Sequence, residues 1–166
     1  MAFFVILILG LIFYIYSRYW PNVTVSVGEN DYHLLLADTR THQIRGLSGR
    51  QDLGKWDGML FVFADSGRHT MVMREMNFPL DIIWLKADTY QCDRGFSLRA
   101  FFFPPIFPCS ATVVDIAPEV TPEPGRPESL LTPYFSRVDA TLVWEAAAGF
   151  MGKTGLKIGD QVSLNR

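Results

Sequence analysis

Two sets of side chains and one lone carboxylate in this sequence are placed so that they could do chemistry. His69, Met71 and Met73 alternate along His69-Thr70-Met71-Val72-Met73. In an extended strand they project to one face. An imidazole with two thioethers is a soft donor set that could hold Cu(I). The favoured alternative is a core-facing stripe with no metal, because methionine fills irregular interiors readily. Arg45, Arg50 and Arg74 form the second set, with Gly46 and Gly49 between the first two. They could converge on an anion that the backbone approaches closely. The preferred alternative is that Arg45 and Arg50 pin a helix end to the following loop by pairing Asp52 or Asp57. Asp81 is the third candidate. It sits in Phe78-Pro79-Leu80-Asp81, ahead of a very apolar run. A carboxylate there must be paired or hydrogen-bonded. It could be a general acid or base with a raised pKa. The reading preferred over this is that it satisfies backbone amides or an arginine such as Arg74.

The absences narrow the chemistry further. The chain contains no Gly-x-Ser-x-Gly elbow, no phosphate loop, no His-Glu-x-x-His and no Cys-x-x-Cys. The three histidines, His33, His42 and His69, are scattered, and no cofactor is expected. Cys92 and Cys109 are the only cysteines, so zinc-type spacing is absent. They bracket a Phe/Pro-rich segment and either staple it as a disulfide or remain two buried thiols.

The elements that must position these residues are short. Alternation over residues 23–27 and an apolar run over 33–37, joined by a Gly28-Glu29-Asn30-Asp31 turn, predict a hairpin. Asp38 is the expected N-cap of a helix over 39–45. Strands are predicted over 58–63, 69–73, 80–85, 111–116, 138–144 and 161–164, with a surface loop over 118–127 and a second helix over 145–153 ended near Gly155. Many short strands, two short helices and glycine-marked corners predict a mainly β fold, α+β at the margin: a small, partly closed barrel. Asp160 is expected to be a turn residue.

The N-terminus reads as a separate object. Residues 2–16 carry no charge, and residues 1–17 reach the short end of the roughly 17–25 needed to cross a bilayer. Tyr14, Tyr16, Tyr19 and Trp20 form an aromatic flank, beside which Arg18 can snorkel. A cleaved leader would show a basic start and small residues at a cleavage site, which this flank lacks. Residues 1–20 are therefore expected to be an uncleaved transmembrane helix and 21–166 the β-rich domain. The Asn22-Val23-Thr24 sequon abuts the anchor and is read as coincidental. A net charge of -2 supplies no basic field, so nucleic acid is not an expected partner.

Two stretches together carry a family likeness. One comprises Arg45-Gly46-Leu47-Ser48-Gly49-Arg50, then Gly58-Met59-Leu60-Phe61-Val62-Phe63, then Phe78-Pro79-Leu80-Asp81-Ile82-Ile83-Trp84-Leu85; the other is Gly155-Leu156-Lys157-Ile158-Gly159-Asp160-Gln161-Val162. In this order and spacing they resemble domain of unknown function 192, a family without a firmly assigned reaction. The resemblance implies one mainly β domain from about residue 23 to 164. Members usually carry an export signal or anchor, which implies an extracytoplasmic domain. Met73 and Arg74 match the family's Met-Lys, whereas Val72, Glu75 and Met76 depart from its Trp, Asn and Thr. An insertion over about 89–110, with Phe101, Phe102, Phe103, Ile106 and Phe107, replaces a short hairpin and is expected to form a lid or a contact patch.

The resulting expectation is a membrane-anchored, single-pass, extracytoplasmic binding module. Its partner would be an unknown small ligand or an envelope protein, and Arg45, Arg50, His69, Arg74 and Asp81 are its candidate binding residues. A hydrolase-like enzyme using Asp81 with Arg74 or His69 is the first alternative, and a structural envelope-assembly protein the second.

Overall fold

The computed structural model describes residues 20–88 and 109–165, together with the helical positions Phe4, Leu7 and Gly10. Nine strands, two α-helices and one 3-10 turn occur among them. These are β1 (Asn22–Val27), β2 (Asn30–Ala37), α1 (Arg40–Arg45), β3 (Gly58–Gly67), β4 (Thr70–Met71), β5 (Leu80–Ala87), β6 (Cys109–Val120), the 3-10 turn (Glu128–Leu130), β7 (Tyr134–Phe135), β8 (Ala140–Ala147), α2 (Phe150–Thr154) and β9 (Gln161–Asn165). Seven strands form a closed barrel in the order β1-β2-β3-β8-β5-β6-β9, and β4 and β7 form a separate two-stranded sheet. The mainly β expectation holds, and the barrel closes fully rather than in part. Closure comes from β9, which pairs with β1 through Thr24↔Asn165 and with β6 through Cys109↔Leu164.

One pair in the barrel is parallel. β2 runs alongside β3, with Leu34 opposite Gly58 and Ala37 opposite Phe61. A parallel neighbour requires a crossover, and residues 38–57 supply it, carrying α1 across the outside of the barrel. The crossover is fixed at its return by His33, whose amide donates to Asp57 Oδ2 at 2.8 Å while its carbonyl accepts from the Asp57 amide at 2.9 Å.

The four strands β2, β3, β8 and β5 are adjacent in the barrel and buried on both faces. Leu34, Leu36, Leu60, Val62, Ile83, Leu85, Leu142 and Trp144 point to the interior. Leu35, Met59, Phe61, Ile82, Trp84 and Val143 point outward into a second apolar cluster with Leu47, Leu53, Met71, Met73 and Met76. This explains the near-continuous apolar runs of these strands, because alternation disappears when both faces are covered. Truncating any of these buried leucines to alanine would cost about 2–5 kcal/mol. By contrast, β1 keeps its period of two, with Val23 and Val25 inside and Thr24 outside.

Several local expectations are corrected. The N-cap of α1 is Thr39, not Asp38: Thr39 Oγ1 accepts from the His42 amide at 3.2 Å. The strand expected over His69, Met71 and Met73 is reduced to Thr70–Met71. β6 runs on to Val120 through Pro118, because the chain bulges at Glu119, whose φ is 51°. The last helix begins at Phe150, and Glu145 lies inside β8. The expected anchor falls outside the described residues except at positions 4, 7, 10 and 20. Among the described residues no helix is long and apolar enough to cross a membrane. The insertion lies outside them too, apart from its end at Cys109 and Ser110. Cys92 is likewise outside, while Cys109 is buried at the start of β6, and no described cysteine is free.

Candidate functional site

The crossover leaves a cleft of about 310 Å³ between α1 and the outer face of the barrel. Arg40, Gln43, Ile44 and Arg45 of α1 form one wall, continued by Gly46, Leu47 and Ser48. Phe61 and Phe63 of β3 form a second, and Thr70, Met71, Val72, Arg74 and Met76 a third. Glu145 of β8 reaches the cleft from the barrel. The volume lies at the small end of ligand cavities, which are largely apolar with a few placed polar groups.

Backbone geometry explains why these walls meet. Gly46 ends α1 with φ 49°, and a Cβ there would lie 3.4 Å from Phe61 Cζ. Ser48 Oγ donates to the Arg74 carbonyl at 2.8 Å, and the Gly49 amide donates to the Glu75 carbonyl at 2.9 Å. The glycine-rich turn is thereby tied to the segment after β4. Gln43 Nε2 donates to the Val62 carbonyl at 2.6 Å, fixing α1 to β3. Gly58 lets β3 start directly against β8. A Cβ at Gly58 would strike the Glu145 carbonyl and lie 2.8 Å from Trp144 Nε1.

Glu145 is the unusual member of the site. It sits between Met59 and Ile82 in the sheet, faces the outer cluster and is 5% exposed. Among the described residues its carboxyl has no hydrogen-bond or ion-pair partner. Burial pushes that carboxyl up to about 8, with no charged neighbour offsetting the effect. A buried carboxyl without a counter-ion takes a proton rather than carry charge in a poorly solvating medium. At neutral pH Glu145 is therefore a neutral hydrogen-bond donor facing an arginine-lined cleft.

The anticipated residues divide. Arg45 and Arg74 line the cleft; Arg50, His69 and Asp81 do not. The Arg45 and Arg50 guanidiniums each lie 6.0 Å from the Trp20 ring centroid, and Trp20 stacks on His42 at 4.5 Å. No ion pair among the described residues joins Arg45 or Arg50 to Asp52 or Asp57, the pairing that was expected. Asp52 Oδ1 accepts from the Gly54 amide instead, and Asp57 Oδ2 from His33. Burial lowers the pKa of Arg50, and repulsion from Arg45 lowers it further, against a smaller pull from Asp52. Arg74 pairs with Glu128 at 2.9 Å.

His69 stacks on Phe63 at 3.7 Å, and its Nε2 lies 3.0 Å from the Asp65 carbonyl oxygen. Met71 and Met73 pack in the outer cluster. Among the described residues no group of three or more His, Cys, Asp or Glu side chains could hold a metal ion. Asp81 is fully buried, and both its oxygens are used. Oδ1 accepts from the amides of Glu119 at 2.8 Å and Gly149 at 3.3 Å, and Oδ2 from Met151 at 2.8 Å. It thus caps the start of α2 and holds the bulge of β6. No hydrogen bond or ion pair among the described residues joins Asp81 to Arg74 or His69, and of the three only Arg74 lines the cleft.

Sequence reasoning missed Glu145 by placing it at the start of a helix. The clue was available: a single charge in the otherwise apolar Leu142-Val143-Trp144-Glu145-Ala146-Ala147. Its phase places it with Val143, opposite the interior residues Leu142, Trp144 and Ala146.

Three comparisons bear on what this architecture is. The chain is similar to a crystal structure of a protein of unknown function from Novosphingobium aromaticivorans, at 26% identity and a TM-score of 0.60, covering 86% of this chain and 84% of that one. It shares its fold with a crystal structure described as a putative transcription regulator from Sinorhizobium meliloti, at 20% identity and a TM-score of 0.62, covering 87% and 92% of the two chains. No curated protein matches. Residues 23–90, reaching from β1 through the end of β5, match the family model of domain of unknown function 192, described as an uncharacterised ACR, which is the family the sequence resembles.

Proposed function

We propose that this protein is a binding module that takes a small ligand into the cleft between α1 and the barrel, and that residues 1–20 anchor it in a membrane with the domain on the extracytoplasmic side. One observation carries the binding reading: Glu145 is 5% exposed, its carboxyl has no partner among the described residues, and it reaches the cleft. A domain does not gain stability from such a group, since taking an unpaired polar side chain even partly out of water costs free energy. A ligand that accepts its hydrogen bond repays that cost, so the group makes sense as part of a site. The same accounting separates Glu145 from Asp81, which has its partners within the fold.

The anchor reading rests on the apolar, aromatic-flanked N-terminus. Trp20, the first residue of the continuous described chain, packs on His42 of α1, so an anchor would join the domain on the helix that walls the cleft. The binding reading is tested by titrating a fragment library into isotope-labelled full-length protein in nanodiscs. Amide shifts confined to α1, the turn after it and Glu145 are expected; shifts scattered over the barrel surface would refute it. For the anchor, mass spectrometry of the membrane fraction should find the intact N-terminus. A mature form starting near Trp20 would refute that part alone.

A further inference from the structure

We infer that the ligand of this cleft is a small organic anion with an apolar body, whose charged end meets Arg40 and Arg45 and whose far end presents a neutral hydrogen-bond acceptor to the carboxyl of Glu145. This rests on the binding reading of the cleft and specifies its chemistry. The charges facing the cleft are Arg40 and Arg45 from α1 and Arg74 from the segment after β4, the last already held by Glu128. From the barrel, Met59 and Ile82 flank Glu145, and Phe61 and Phe63 line the wall; none of these titrates. Arg40 and Arg45 have no acidic partner among the described residues. The neighbouring polar groups are spent, Gln43 Nε2 on Val62 and Ser48 Oγ on Arg74. The groups left over without a hydrogen-bond or ion-pair partner are two guanidiniums, that of Arg45 also lying 6.0 Å from the Trp20 ring centroid, and one carboxyl.

These leftover groups stand on different walls of the cleft, Arg40 and Arg45 on α1 and Glu145 on β8. A ligand that satisfies both ends must span the cleft past Phe61, Phe63 and Met71, which is why its body is apolar. The sign of its charge follows from the same inventory. With Glu145 protonated, the cleft presents positive charge only, and charge-assisted bonds from arginine favour a carboxylate or phosphate. A cation would have to ionise Glu145 and also sit among the arginines. Ionising Glu145 with the anion bound would place like charges in one cleft, so anion binding and proton retention support each other.

The test uses two probes of one shape and opposite charge, 4-acetylbenzoate and 4-acetylbenzylamine, titrated calorimetrically into the full-length chain in nanodiscs. At about pH 6 the benzoate should bind and the amine should not. Raising the pH to about 9.5 should weaken benzoate binding by roughly tenfold as Glu145 ionises. Glu145→Gln keeps a neutral donor in place, so its benzoate affinity should change little between the two pH values. Arg40→Gln with Arg45→Gln should weaken binding by about tenfold or more, and both positions are exposed enough to leave folding intact. Preferential binding of the amine would overturn the inference and leave the binding reading standing. Equal pH dependence in the wild type and Glu145→Gln would also overturn it. If neither probe binds, both readings fall.

Discussion

Asp81 and Glu145 are two buried acids on adjacent strands, nearly in register, since Asp81 pairs with Ala146 across β5 and β8. One is 0% exposed and the other 5%. By burial alone they are equivalents. By partners they are opposites: three backbone amides converge on Asp81, and nothing among the described residues bonds the carboxyl of Glu145. The difference follows from the face each strand presents. Asp81 lies at the barrel end where α2 begins with free amides, which need an acceptor. Glu145 lies on the outer face, where α1 approaches without sealing the gap. A buried carboxylate is therefore evidence of function only after its hydrogen bonds have been counted.

Removing each acid should move stability in opposite directions, and Asp81 should show the larger effect. Asp81→Ala strands three buried amide donors, each worth about 1–3 kcal/mol, so a loss of roughly 4 kcal/mol is expected in denaturant unfolding. An unchanged midpoint would return Asp81 to the list of functional candidates. Glu145→Gln should stabilise the protein. Between its ordinary value of 4.5 and about 8, the folded state holds a proton that the unfolded chain has released. Stability of the wild type therefore falls as pH rises through that window, and by pH 7 the penalty is on the order of 3 kcal/mol. The glutamine variant should gain about that much at pH 7 and nothing near pH 4. A gain that does not vary with pH would break the contrast.

A third acid provides a smaller effect with the reverse sign. Asp115 is held by Arg137, whose Nη2 lies 2.5 Å from Oδ1 and whose amide donates to Oδ2 at 2.6 Å. The Arg137 side-chain bonds, foremost, keep the Asp115 carboxyl below its ordinary 3.8. Its contribution is present above that range and lost as pH falls through the depressed value. Asp115→Asn should therefore flatten the acid limb of the stability profile and leave the limb between 4.5 and 8 untouched. Smallest of all, Arg45→Gln should change stability by no more than about 0.5 kcal/mol, since the residue is exposed and forms no ion pair among the described residues. A larger loss would mean that Arg45 holds the fold rather than a ligand.

These contrasts also show how much the sequence revealed. Alternation in β1 and the apolar runs of β3 and β5 marked strands correctly, because one- and two-sided burial leave distinct patterns. The burial of Asp81 was legible from Ile82-Ile83-Trp84 beside it. Its three partners were not, since Glu119, Gly149 and Met151 are brought to it by tertiary structure. The cleft was half legible. Arg45, Gly46 and Arg74 were singled out, but Arg40, Phe61 and Phe63 come together only through the parallel crossover, which no local pattern encodes. Glu145 was hidden because Glu-Ala-Ala-Ala has high helix propensity, and pairing with both Met59 and Ile82 overrides it.

The contrast turns on the protonation of Glu145, a carboxyl kept in the fold without a partner among the described residues. Carbon-detected NMR on protein labelled at the glutamate side-chain carboxyl, assigned by comparison with Glu145→Gln, reads its titration directly. A midpoint near 8 is expected in the ligand-free protein. A midpoint in the ordinary glutamate range, near 4.5, would show that Glu145 is solvated or paired and is no protonated donor at neutral pH.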